Sequence, residues 1–436
     1  MSARNRELVG LLPASLLITA GFAGVFIQRK AELTNVSLTY GAIFLGLCLA
    51  AHVFIRITLP YADPYLFPLV SVLASFGLVM IYRISSGDAR QQAQWFVIGL
   101  ILFAVTVIVF RDYRKLEQYR YVIVSISLLL LVLPRVPGLG EQVNGAYLGI
   151  RIPGTSGFQP TEFSKVGLVV FLASYLRDTR QVMIQGSRRI LGITLPPLKY
   201  FGPVLVIWGM AMVILFLLSD IGSSLMFYGA LLAMLYVATG RISFVVVGLV
   251  AFGLGAWFLG THIPHVHARF EDWLHPFDAN IYNAPLGSYQ LANGLFAQAA
   301  GGVFGQGFGE SILTTASGTA LIPEPQTDMI YAIITSELGL FGAVGVLLTY
   351  LMFVYRGFKV AVLARDSFSK LLAAGLSAVF ALQVFVIVGG VTKAIPLTGV
   401  TLPFISYGGA SIVANFVLLA LLLLISDRAR RPVVRT

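Results

Sequence analysis

Uninterrupted apolar stretches about as long as a bilayer is thick recur along this chain, and no other feature constrains its fold as strongly. A hydrocarbon core about 30 Å thick is crossed by about 20 residues of helix. Reading for such runs gives twelve: roughly 8–27, 38–57, 65–82, 94–110, 119–134, 161–176, 201–218, 221–239, 243–260, 327–355, 369–391 and 405–426. Lipid offers backbone groups no partner, so these runs must form helices or a closed barrel. Barrel strands alternate apolar and polar residues, and these runs do not. The expected fold class is an all-α polytopic membrane protein with about 12 transmembrane helices. Composition agrees, with 57% hydrophobic and 11% charged residues, against about 25% charged in soluble domains.

The chain carries 30 Lys and Arg against 19 Asp and Glu, a formal charge of +11. In a membrane protein such an excess reflects topology, because cytoplasmic loops collect basic residues. No nucleic-acid partner is expected. With the N-terminus inside, 21 basic residues fall on the cytoplasmic side and 8 outside, Lys165 lying within a span. Both termini are therefore expected in the cytoplasm, with segment 261–326 as a large extracytoplasmic loop between spans nine and ten. The first run follows Arg4 and Arg6 as in a signal peptide. Its apolar stretch exceeds the usual length of about 7–15 residues, which favours an uncleaved anchor. The one cysteine, Cys48, lies in an apolar run, so neither a disulfide framework nor a CxxC metal site exists. With no GxxxxGK(S/T) motif, the chain is not by itself an ATP-driven pump.

Most of the chemistry-bearing residues lie in the outer loop. His262, His265, His267 and His275 are four of the five histidines, and clustered imidazoles bind zinc. Pro264 interrupts any helical register and no cysteine joins them, so solvated histidines are the simpler reading and no metal site is expected. The loop acids are Glu271, Asp272, Asp278 and Glu310. Asp278 follows Trp273, Leu274, Pro276 and Phe277, an apolar stretch expected at the membrane boundary. Partial desolvation there would make the carboxylate a better base; a carboxylate in water is the plainer alternative. Residues 288–300 fit an amphipathic helix with Leu291, Leu295 and Ala299 on one face. The GGVFGQGFG segment, 301–309, offers backbone that could wrap a phosphate, or equally a helix-ending turn.

Charge inside a span is expensive and points to function. Glu162 and Lys165, three residues apart, form an ion pair by geometry. They read either as a structural pair or as the wall of a polar cavity for an anionic substrate, with Lys165, Arg151 and Lys393 as phosphate contacts. Asp220 starts span eight, and Asp328 and Glu337 sit in span ten. Residues 398–411, TGVTLPFISYGGAS, read as an outer loop folded tightly into the last helix.

Several of these segments together resemble the SEDS (RodA/FtsW-like) family of shape, elongation, division and sporulation proteins. They are Gln159-Pro160-Thr161-Glu162-Phe163-Ser164-Lys165, Ser219-Asp220-Ile221-Gly222, Tyr289-Gln290, Gly301-Gly302-Val303-Phe304-Gly305-Gln306-Gly307, Pro323-Glu324 with Thr327-Asp328, and Leu402-Pro403-Phe404-Ile405-Ser406-Tyr407-Gly408-Gly409. They follow the family's order over about 63–426. The resemblance implies a ten-span core, 61–426, preceded by two extra spans in 1–60 that are similar to those of actinobacterial RodA-type members. A basic cytoplasmic tail, 427–436, follows.

It implies a peptidoglycan glycosyltransferase of the bacterial cytoplasmic membrane, active on the outer face. Such an enzyme polymerises lipid II into glycan strands with undecaprenyl pyrophosphate as leaving group. It works beside a class B penicillin-binding protein and contacts membrane lipid. The family's catalytic aspartate lies in the large outer loop. Ala284 stands where that acid is expected ahead of Gly287-Ser288-Tyr289-Gln290, so Asp278 is taken as the equivalent and Asp272 as the second candidate. Glu162 and Lys165 carry over directly, and Arg151, Lys393, Tyr289, Gln290 and Ser406 complete the expected substrate contacts. The cofactor is unknown; a divalent cation is the open candidate and no nucleotide is expected. Competing readings are a lipid II flippase, a twelve-span transporter and a non-catalytic scaffold for a transpeptidase. The long outer loop and the lack of a visible repeat between halves speak against the transporter.

Overall fold

The structure, a computed structural model, describes residues 2–28, 35–143, 146–150, 158–185, 188–190, 193–195, 198–284, 287–314 and 320–432. Helices α1 (Ala3–Gly10), α2 (Leu12–Gln28), α3 (Asn35–Thr58), α4 (Leu66–Ile84), α5 (Ser86–Val109) and α6 (Arg120–Val132) open the chain. A hairpin of β1 (Gly140–Val143) and β2 (Ala146–Ile150) leads to α7 (Thr161–Gln185), and a shorter one of β3 (Arg188–Ile190) and β4 (Ile193–Leu195) follows it. Then come α8 (Leu198–Leu217), α9 (Ile221–Thr239), α10 (Ile242–His262), α11 (Pro264–Leu274), α12 (Ala279–Tyr282) and α13 (Tyr289–Gly301). The last three are α14 (Ile330–Leu363), α15 (Ser367–Val391) and α16 (Gly409–Arg430).

The chain forms two compact units. One joins Met1–Ile108, Ala268–Arg356 and Gln383–Thr436; the other joins Val109–His267 and Gly357–Leu382. In the first, α2 packs against α3 and α4, and α16 is buried along nearly its whole length. In the second, α7 packs along both α6 and α9, and α10 lies against α9.

Among the described residues, ten helical segments are long and apolar enough to cross a membrane, where the sequence leads one to expect twelve. Runs 119–134 and 161–176 make the difference. The first is α6, only 13 residues, or about 20 Å at 1.5 Å per residue. The second is α7, 25 residues long but carrying Glu162, Lys165, Arg177, Asp178 and Arg180. Since the two are neighbours in sequence, counting both or neither leaves the sidedness of every later segment unchanged.

The segment read as an outer loop carries the helices α11, α12 and α13. Helix α13 matches the amphipathic helix expected over 288–300, but its buried residues are Leu291, Ala292, Asn293, Gly294 and Gly301. Leu295 is half-buried and Ala299 exposed, so the inward face is rotated from the one expected.

Charged side chains also tie the chain's two ends together within the first unit. Asp63, fully buried, receives the guanidinium groups of both Arg356 and Arg430. Its backbone N–H donates to Ser426 Oγ at 2.9 Å. On α1, Arg4 pairs with Glu7 and donates to the Ala62 carbonyl, while His52 Nδ1 lies 2.8 Å from Glu7.

The charge bias predicts that the segment around Arg111 faces the cytoplasm and that around Asn280 the outside. In a Cys48→Ala background, an impermeant thiol reagent added to intact cells should label Asn280→Cys and spare Arg111→Cys. The reverse pattern would invert the topology.

Candidate active site

Four segments of the first unit converge on a polar centre. Helix α11 opens on Pro264, a favoured first helical residue, and two bonds fix it to the turn before α16. Arg269 donates to the Leu397 carbonyl at 3.1 Å and Trp273 Nε1 to the Lys393 carbonyl at 3.0 Å. At the start of α13, Gln290 Nε2 donates to Asp328 Oδ1 at 3.1 Å and the Pro323 carbonyl at 3.3 Å. Tyr289 donates its hydroxyl to the Ala320 carbonyl at 3.2 Å. Thr327 Oγ1 lies 3.2 Å from Asp328 Oδ1 and donates to the Glu324 carbonyl at 2.7 Å. The Tyr407 N–H reaches the Gln326 carbonyl at 2.9 Å, and Gln326 Nε2 donates to Asp88 at 3.0 Å.

Two acids here are perturbed, and both lie outside the membrane-spanning helices. Burial pushes the Asp328 carboxyl above its ordinary value, against its own N–H, Thr327, Arg269 and Gln290. The half-buried Asp272 is also raised by burial, with Arg269 opposing and Glu271 reinforcing the shift. Asp328 belongs to the Thr327-Asp328 segment of the family resemblance, whereas nothing in the local sequence sets Arg269 apart.

Asp278 is exposed, as are Leu274 and Phe277 beside it. It caps α12, accepting from the Asn280 N–H at 2.8 Å. Its turn is anchored to α13: Ser288 Oγ donates to the Pro276 carbonyl at 2.7 Å, and the Tyr282 and Tyr289 rings lie 5.2 Å apart. Lys393 is half-buried and left-handed, φ 61°. Ser406 is buried, its Oγ accepting from the Leu402 N–H at 2.8 Å, so its hydroxyl holds its own turn. Arg151 lies outside the described residues.

Glu162 and Lys165 belong to the second unit. Both are buried and their charged atoms meet at 2.5 Å. Asp220, also buried, caps α9 through the Ser223 N–H at 2.9 Å and follows left-handed Ser219. The four non-glycine residues with positive φ among the described residues are Ser219, Glu324, Lys393 and Phe404. Three lie in the motif segments and the fourth is a candidate contact; such strain clusters at functional sites.

The glycine-rich segment spends its backbone on α14 instead of lying open to a phosphate. The N–H groups of Gln306 and Gly307 donate to the Ser336 and Glu337 carbonyls at 3.0 and 3.1 Å, and those of Leu340 and Phe341 return to Gly302 and Val303. A break in α14 at Gly339, φ 64°, makes room for this exchange. The histidines turn onto backbone: His262 Nδ1 lies 2.9 Å from the Phe258 carbonyl and His267 Nδ1 3.0 Å from that of Gly260. Among the described residues no group of three His, Cys, Asp or Glu could hold a metal ion.

Fold and site define a helical, multi-pass membrane protein with a carboxylate-bearing centre on its inter-helix segments. The chain belongs to the FtsW/RodA/SpoVE family, described as cell cycle proteins, which matches residues 64–431. It is 39% identical to the peptidoglycan glycosyltransferase RodA of Mycobacterium leprae (strain TN), over 98% of this chain and 91% of that protein. It is 34% identical to the stage V sporulation protein E of Bacillus subtilis (strain 168), over 82% and 95%. In fold it is similar to a chain of a solved peptidoglycan synthase complex, TM-score 0.68 at 24% identity over 85% of this chain and 99% of that one. The crystal structure of Thermus thermophilus RodA gives 0.59 at 24% identity, over 85% and 98%.

Two outcomes follow. Removing one partner of a buried ion pair costs about 3–5 kcal/mol, so Glu162→Ala and Lys165→Ala should each lower the thermal midpoint markedly. Equal midpoints for wild type and both variants would mean that the pair is solvated. For Asp328, a carboxyl raised above its unfolded value destabilises the fold as pH rises through the folded pKa. Asp328→Asn should therefore match or exceed the wild-type thermal midpoint at pH 7, with a smaller gain at pH 4, and a clear loss against wild type at pH 7 would mean that its charge stabilises the fold.

Proposed function

We propose that the chain is a peptidoglycan glycosyltransferase of the cytoplasmic membrane. It extends glycan strands from lipid II on the outer face. The observation that carries this reading is the convergence of Arg269, Asp272, Asp328, Gln290 and Lys393 on segments outside the spans, in a chain whose full-length relatives are named for that activity. The reaction needs no nucleotide, because the pyrophosphate leaving group already activates the anomeric carbon of the donor. What the protein must supply is a base for the acceptor 4-hydroxyl and cations for the departing pyrophosphate.

Asp278 takes the acceptor proton, with Asp272 as the second candidate. Arg269 and Lys393 are the proposed cations for the pyrophosphate, and Tyr289 and Gln290 are further substrate contacts. Glu162 and Lys165 form a second polar centre for the anionic substrate. Ser406 acts by holding the turn that carries Tyr407. A class B penicillin-binding protein is the proposed partner, supported by the likeness in fold to a chain of a synthase complex.

Purified protein given labelled lipid II tests the reading. Glycan polymer on a gel supports it; translocation without polymer would point to a flippase, and neither to a scaffold. Asn caps a helix about as well as Asp, so Asp278→Asn should fold and bind lipid II. Loss of a positioned base costs about 10²–10⁴-fold in rate. Asp272→Asn should keep most activity. Reversed results would move the base to Asp272, and full activity in both would remove it from this segment.

A further inference from the structure

A cavity of about 360 Å³ lies in the first unit, walled by α2, α3, α4, α5 and the turn into α16. Ligand-holding cavities run from about 300 to 1,000 Å³, so this one admits part of a single chain rather than a bulky headgroup. Its wall is apolar and aromatic. Phe22 lies 5.0 Å from Tyr82 and 5.5 Å from Tyr40 between ring centres, and Phe44 lies 5.0 Å from Phe96.

Three further observations indicate what fills it. Tyr40 and Ile43 line it yet are exposed, at 40% and 56%. Both belong to α3, which has the length and apolarity of a membrane span, so the open side faces hydrocarbon. Arg90 also lines the cavity, is exposed, and makes no hydrogen bond or ion pair among the described residues. It stands in the second turn of α5, close to the end of the span, where lipid phosphates lie. Finally, α2 and α3 precede residue 64, where the family match begins, so Phe22, Tyr40, Ile43, Phe44 and Leu47 add a wall to the shared core.

We propose that the cavity holds one acyl chain of an anionic bilayer phospholipid, with Arg90 taking its phosphate. One unpaired guanidinium matches one negative charge, and arginine is well suited to phosphate. The occupant would lie against Phe404 and Gln92. Gln92 Nε2 holds the Ser406 carbonyl at 3.1 Å, and its Oε1 accepts from the Gly408 N–H at 3.2 Å. The bound lipid therefore braces the turn whose Tyr407 carries Gln326.

The test uses the full chain in phosphatidylcholine nanodiscs containing a photoreactive phosphatidylglycerol, with cross-linked peptides mapped by mass spectrometry. Cross-links should fall on α3 and α5 and be displaced by unlabelled phosphatidylglycerol. Arg90→Gln should raise the concentration needed for half displacement about tenfold, and Arg90→Lys should restore most of it. Ala93→Phe, which fills the cavity without removing a polar group, should abolish those cross-links; if it fails to fold, Leu47→Trp fills the same space. Undiminished labelling in both the Arg90→Gln and filled variants would overturn the site. Displacement by neutral diacylglycerol as effective as by phosphatidylglycerol would overturn the charge match. Displacement by millimolar inorganic phosphate would assign Arg90 to a free anion rather than to a lipid.

Discussion

Glu337 lies inside an apolar helix, 1% exposed, where an uncompensated carboxylate is intolerable. Its compensation fixes much of the first unit. Arg83 Nε approaches Glu337 Oε1 at 3.1 Å, Ser311 Oγ donates to the same oxygen at 2.7 Å, and the Gly309 N–H donates to Oε2 at 2.9 Å. Arg83 also donates to the carbonyls of Gly309 and Ser311, at 2.6 and 2.9 Å. One pair therefore binds α4, α14 and the 309–311 segment at a single point. Such a pair contributes little net stability over well-packed apolar residues, but breaking it costs about 3–5 kcal/mol. Its weight lies in position: it fixes the 309–311 segment, which precedes the 322–328 loop, against α14.

The glycine-rich segment is the backbone counterpart of that anchor. A Cβ on Gly305 would lie 2.1 Å from the Glu337 carbonyl oxygen, and one on Gly339 would lie 2.3 Å from the Gly305 nitrogen. Close approach of two chains, combined with left-handed φ at both positions, leaves only glycine there. The exchange of hydrogen bonds across the α14 break satisfies groups that the broken helix would otherwise leave open in a membrane. Anchor and break together direct the chain toward Gln326 and Asp328, and the Tyr407–Gln326–Asp88 bonds hold that loop to α5 and the last turn.

Legibility followed the range of each interaction. The long spans could be read because lipid imposes a local requirement of length and apolarity, and the Glu162–Lys165 pair because three residues on a helix fix the geometry. Helix α7 was legible as an apolar run over 161–176 but not in its extension to Gln185, where Arg177 and Asp178 pair with Glu117 and Arg120 of other elements. Phe277 and Leu274 beside Asp278 are exposed, and nothing in the local sequence says which way a short helix turns its face. The least legible contacts were those between distant segments: Arg83 with Glu337, Asp63 with Arg356 and Arg430, and Gln290 with Asp328. Each looks alone like an ordinary charge or amide, and only the fold makes it a pair.

That distinction also sorts the acids by what they can still do. An ionised carboxylate offers about four acceptor sites, and a base must keep one open toward the substrate. Glu337 is occupied by Arg83, Ser311 and Gly309; Asp63 by two arginines; Glu162 by Lys165. These acids are the fold's own counter-charges. Asp328 is intermediate, engaged by Gln290 and close to Thr327. Asp278 accepts a single backbone N–H, through Oδ1, and Asp272 makes no hydrogen bond among the described residues. Both stand on segments outside the spans. The acids that the fold does not consume are the ones left open to serve as the proposed base.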